Sequence, residues 1–93
     1  MTSQQLPRRT ISRIVKQYGG SDIRVFGSVA RGEASKGSDL DLLIKLERGR
    51  SLLQLIAMKQ DLEDILGCKV DIVTEAGLSP FMRDRILSEA VPL

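Results

Sequence analysis

The chain has 93 residues, enough for one small domain with a single layer of core, and 42% of them are hydrophobic, which excludes a disordered chain. Its 14 basic and 12 acidic residues are interspersed and leave a net charge of +2, with no run of like charge that would mark a polyanion-binding tail. There is no histidine and one cysteine, Cys68, which excludes catalytic triads, Cys-His pairs, His-ligated metals and an internal disulfide. Any catalysis must therefore run on carboxylates, hydroxyls, Lys or Arg, and hard cations held through oxygen. Aromatic residues are 3% of the chain and Trp is absent, so stacking platforms for single-stranded nucleic acid, and with them direct nucleic-acid binding, are not expected. No apolar run approaches the ~20 residues of a membrane span. Arg8 and Arg9 are not followed by an apolar signal segment, so a cytoplasmic protein without a membrane association is expected.

In chain order, the first element is a helix with Pro7 at its first position. Ile11, Ile14, Val15 and Tyr18 form one apolar stripe, and Gly19-Gly20 ends it. Ile23–Phe26 reads as a short strand broken by Gly27-Ser28, with one or two helical turns over Val29–Glu33 and a polar loop through Ser38. Asp39–Leu46 is the clearest strand: Asp39, Asp41 and Leu43 face one side, Leu40, Leu42 and Ile44 the other. Ser51-x-x-Gln54 is a capping box opening a helix whose stripe is Leu52, Leu55, Ile56, Leu62, Ile65 and Leu66, with Gly67 as its C-terminal cap. Cys68, at the head of the next strand, reads as a packing residue. Lys69–Val73 is that third strand and carries Asp71. Ser79-Pro80 starts a last helix reaching Glu89, and Pro92 stops that helix.

The order α-β-α-β-α-β-α over residues 1–93 predicts one α/β domain, α+β-like, around a small mixed three-stranded sheet. The connection between the first two strands is near the lower limit of about a dozen residues for a parallel crossover, which favours antiparallel pairing. The next connection holds a full helix and allows a parallel crossover. The helices are expected mainly on one face, leaving part of the other open.

That open face carries the chemistry. Asp39 and Asp41 lie two strand rises apart, roughly 6.6–6.8 Å between Cα atoms, on one side of their strand. Asp71 joins them if the second and third strands are neighbours. Three carboxylates around a pair of Mg²⁺ ions make an arrangement for phosphoryl or nucleotidyl transfer. Gly27 allows close backbone approach to a phosphate and Ser28 adds a hydroxyl, while Arg31 and Lys36 in the same connection can reach triphosphate oxygens. Each piece alone reads as a turn, a strand edge or a solvated charge; their order is what points to a nucleotide site.

The stretch FGSVARGEASKGSDLDLLI closely resembles the active-site signature of the DNA polymerase beta-like nucleotidyltransferase superfamily, Gly-Ser, ten residues, Asp-x-Asp. The short chain, the later VDIV strand and the terminal EAVPL are similar to its minimal nucleotidyltransferases, the MNT proteins. The resemblance implies the nucleotidyltransferase fold, with Gly27 and Ser28 on the nucleotide triphosphate and Asp39 and Asp41 on Mg²⁺. Asp71 is then the third carboxylate, a metal ligand or a base for the acceptor hydroxyl. It further implies a HEPN-domain toxin as partner, and transfer of AMP from ATP to a tyrosine hydroxyl of that toxin by a chain acting as its antitoxin. Two alternatives stay open: an antitoxin or nucleotide-binding subunit that neutralises its partner by binding alone, and a small-molecule nucleotidyltransferase. The second is disfavoured because no second lobe encloses a small acceptor. The choice between homo- and hetero-oligomer also stays open.

Overall fold

A computed structural model describes residues 6–32 and 39–93. In chain order its elements are α1 (Arg8–Gln17), β1 (Gly20–Phe26), α2 (Gly27–Ala30), β2 (Leu40–Leu46), α3 (Leu52–Leu66), β3 (Val70–Thr74), a 3₁₀ turn (Glu75–Gly77), α4 (Pro80–Glu89) and β4 (Val91–Pro92). The sheet order is β3-β2-β1-β4. β1 pairs antiparallel with β2, and β2 pairs parallel with β3, as the lengths of the two connections predict.

The sheet has four strands, not three. Val91 and Pro92 pair antiparallel with Val25 and Arg24, and the Leu93 N–H donates to the Ile23 carbonyl at 3.1 Å. Proline is tolerated there because β4 is an edge strand, where its missing N–H breaks no ladder. Pro92 thus takes part in the sheet as well as following the last helix.

The main core lies between the sheet and α1 with α3. Ile11, Ile14 and Val15 of α1 and Met58 and Leu62 of α3 pack in one cluster with Val25, Leu40, Leu42, Ile44 and Val70. Burial of each such side chain contributes about 1.5–3 kcal/mol. The α3 stripe differs from expectation. Leu52, Ile56 and Ile65 are exposed, and Met58, one residue type that helical spacing of Leu and Ile did not include, is fully buried. The inward row is Leu55, Met58, Leu62 and Leu66.

Local signals hold where they are stereochemical. The Gln54 side chain accepts from the Ser51 N–H at 3.2 Å, one arm of the capping box, and Gly67 ends α3 at φ +70°. Pro80 occupies the first turn of α4. Several boundaries shift: Pro7 is the residue before α1 rather than its first, β1 begins at Gly20 rather than Ile23, α2 begins at Gly27 itself rather than at Val29, and β3 runs one residue later than expected. Glu33 and the rest of the polar loop through Ser38 lie outside the described residues.

On the other face of the sheet, Arg24 and Phe26 of β1, Asp41 and Leu43 of β2, and Asp71 and Val73 of β3 share a side. α4 covers part of it and buries Ile86. The remainder is open, and it holds the carboxylates.

Candidate active site

Asp41 stands beside Asp71 because β2 and β3 run parallel with these two residues in register. Neighbouring strands are about 4.8 Å apart, so the two carboxyl groups project from adjacent positions of one face. On its other side Asp41 is the antiparallel partner of Phe26, the last residue of β1. The chain then turns sharply at Gly27, whose φ is +74°. A Cβ at position 27 would lie 2.1 Å from Asp41 Oδ2. Glycine is required there twice, for the left-handed backbone and for the space that the carboxylate fills.

The crowding is visible in the acid strength of Asp41. Burial, then the charges of Asp71 and Asp39, a hydrogen bond with Asp71 and the charge of Glu89 push its carboxyl up from 3.8 to about 6. Burial of Asp41 is the larger cause, and the neighbouring acidic groups add to it. Lys59 of α3 offers only partial relief, with Nζ 3.9 Å from Asp71 Oδ1 on a half-exposed pair.

Two clefts meet at Phe26 and Asp41. One, of about 410 Å³, is lined by Phe26, Gly27, Ser28, Arg31, Asp39, Asp41, Arg85 and Glu89. Five residues singled out in the sequence, Gly27, Ser28, Arg31, Asp39 and Asp41, are therefore brought to one cavity. The other, of about 600 Å³, is mostly apolar: Leu52, Leu55 and Ile56 of α3, Met82 and Ile86 of α4, and Ile72 and Val73 of β3 wall it, and Asp41, Asp71 and Lys59 form its polar side. Asp71 also lines another depression together with Asp39.

Asp39 itself is exposed, just ahead of β2. Among the described residues, no three Asp, Glu or Cys side chains are gathered closely enough to hold one metal ion between them. The adjacent pair is Asp41 with Asp71, and Asp39 stands at the rim. Lys36 lies outside the described residues. Arg31 reaches across to α4 and forms an ion pair with Glu89.

Sequence reading missed Arg85, Glu89, Lys59 and the role of Phe26 as the shared wall. Arg85 and Glu89 are one helical turn apart on α4, and that i, i+4 spacing is the only signal that they share a face. Nothing local says that the face looks onto Gly27.

Residues 8–93 match the model of the nucleotidyltransferase domain family. A provisionally named protein adenylyltransferase of Methanocaldococcus jannaschii is 42% identical over 84 residues, spanning 90% of either chain. The protein adenylyltransferase MntA of Thermococcus cleftensis is 40% identical over 76 residues, 82% of this chain and 77% of that one. A solved structure, provisionally described as a minimal nucleotidyltransferase, superposes with a TM-score of 0.85 at 47% identity, covering 100% of this chain and 97% of the other. Two toxin–antitoxin structures share the fold at 19% identity. One, with AMP-PNP, has a TM-score of 0.82 over 94% of this chain and 72% of that one. The other is a tri-AMPylated Shewanella oneidensis HEPN toxin in complex with MNT antitoxin, with a TM-score of 0.74 over 96% of this chain and 70% of that one. The chain belongs to the nucleotidyltransferase domain family, among its minimal, MntA-like members, and is a nucleotidyltransferase.

Proposed function

We propose that this nucleotidyltransferase uses Mg²⁺ to transfer AMP from ATP to a tyrosine hydroxyl of a HEPN toxin, and so acts as that toxin's antitoxin. The observation that carries the reading is that Asp41 borders two clefts of different character, one of which it shares with its strand neighbour Asp71. The polar cleft, with Gly27, Ser28 and Asp39, suits a triphosphate. The apolar cleft suits an acceptor that brings a hydroxyl on an aromatic side chain. The names of relatives at 40% identity and above support adenylyl transfer to a protein. The toxin complexes that share the fold support the class of partner.

The transfer forms a bond between the acceptor oxygen and the α-phosphorus, breaks the α–β phosphoanhydride and releases pyrophosphate. Asp71 borders the acceptor cleft, and in this reading it takes the hydroxyl proton. Gly27 lets the backbone approach the phosphates, and Ser28 contributes its hydroxyl from the same wall. Phe26 separates nucleotide from acceptor and keeps both against Asp41.

Magnesium fits the donor set. All donors are hard carboxylate oxygens, and burial together with the charges of Asp71 and Asp39 disfavours the ionised Asp41 in a way that a divalent cation relieves. Asp41 and Asp71 would hold it, with Asp39 free at the rim to join them. When bound, the metal polarises the attacked phosphate and neutralises the leaving pyrophosphate.

Pyrophosphate release tests the choice of acceptor. With ATP and Mg²⁺, release is expected only when the HEPN partner is added, and is lost on chelation. Release that proceeds equally with a small hydroxyl compound and no protein would indicate a small-molecule enzyme. Neutralisation of the toxin with no release at all would indicate a binder.

A further inference from the structure

We propose that Arg85, on α4, binds the triphosphate of the nucleotide rather than its nucleoside. The inference rests on the nucleotidyl-transfer reading above and adds a residue to it.

Arg85 lines the same cleft as Gly27, Ser28, Asp39 and Asp41. Three carboxylates also face that cleft, those of Asp39, Asp41 and Glu89, so a polyanion entering it needs cations from the protein. Two arginines are present. Arg31 is engaged by Glu89 across the cleft. Arg85 has no carboxylate partner among the described residues. Glu89 sits one turn beyond Arg85, at the i, i+4 spacing that ordinarily pairs two such side chains, yet it is turned to Arg31 instead. The guanidinium fork of Arg85 is thereby left for a ligand. Its position is firm: Ile86, the next residue, is buried against the body of the protein. A planar fork of donors matches phosphate oxygens, which a lysine ammonium does only as a point charge.

A phosphate contact is distinguishable from a structural one because it depends on how many phosphates the ligand carries. The test is calorimetric titration of the purified chain with AMP-PNP and with AMP, both with Mg²⁺. Arg85→Ala is expected to weaken AMP-PNP about tenfold, as the loss of one charge-assisted hydrogen bond at an accessible site does, and to leave AMP unchanged. Arg85→Lys is expected to fall between wild type and Arg85→Ala. Arg85 is exposed, so both variants should keep the wild-type thermal unfolding curve. Unchanged AMP-PNP affinity in Arg85→Ala, or equal weakening of AMP-PNP and AMP, overturns the inference while leaving the nucleotidyl-transfer reading intact. Wild-type protein that binds no AMP-PNP overturns that reading and this inference with it.

Discussion

Asp41 and Asp71 occupy opposed positions in the parallel register of β2 and β3, so two strands that are thirty residues apart in the chain present their carboxyl groups side by side. Parallel pairing is what makes this possible without a long loop: α3 carries the chain back across the sheet so that β3 starts at the same end as β2. The half-buried Asp41 carries the cost of that placement: its own burial first, and then the charge of the exposed Asp71, raise its pKa to about 6.

Gly27→Ala should disturb Asp41 first and the fold second. The new methyl group would meet Asp41 Oδ2 at 2.1 Å, and the left-handed backbone at position 27 costs a non-glycine residue about 1–2 kcal/mol. Displacing a reacting group by an ångström costs about 100-fold in rate. Denaturant unfolding and AMP transfer measured on the same preparation should show a modest loss of stability beside that larger loss of activity. A variant with full activity contradicts the close packing of Gly27 on the carboxylate.

The metal-free protein should respond to pH in the sense set by Asp41. Its folded value of about 6 lies above the ordinary 3.8, so between the two the folded state holds a proton that the unfolded chain has lost. Stability contributed by this group therefore rises as pH falls through about 6, the reverse of an ion-paired carboxylate. Asp71→Asn removes a raising charge, though not the burial that is the larger cause, and should shrink the effect. Thermal melts in chelator at about pH 7 and about pH 5 compare the two proteins through the linkage of protonation to folding. An identical pH response in both contradicts the coupling.

In α3, Leu62→Ala should cost about 2–5 kcal/mol by opening a cavity at a fully buried site. Ile65→Ala, at a residue 55% exposed, should cost far less. Urea unfolding of the two variants separates the observed inward row from the stripe that leucine and isoleucine spacing alone suggests.

The exposed apolar side chains of α3 and α4 should matter to the partner and not to the fold. Leu52 is 72% and Phe81 96% exposed, and Leu52 borders the apolar cleft. Leu52→Asp and Phe81→Ser are expected to leave the unfolding curve in place and to weaken binding of the HEPN partner by about tenfold each, as interface anchors do. Titration of partner into each variant checks this, and wild-type affinity in both places the interface elsewhere.

Much of this was legible in the sequence because the signals are local. Ser51, Gln54 and Gly67 bound a helix by hydrogen-bonding rules, Ser79-Pro80 starts another, and alternation along Asp39–Leu46 separates the carboxylates from the core. Connection lengths were enough for the strand directions. β4 was not legible: two residues show no periodicity, and a proline reads as an end. Nor was the inward row of α3, because a methionine carries the central contact that leucines on the exposed side appeared to promise. Lys59, Arg85 and Glu89 look like ordinary solvated helix charges until the fold carries their helices to the carboxylates.

Intact-mass analysis of a HEPN partner tests the central claim most directly. The partner is incubated with ATP and Mg²⁺ and either the wild-type chain or the Asp39→Asn/Asp41→Asn double variant. The account predicts an AMP adduct on a partner tyrosine with the wild type and none with the variant. No adduct from the wild type under conditions where it binds the partner, or an equal adduct from both proteins, contradicts it.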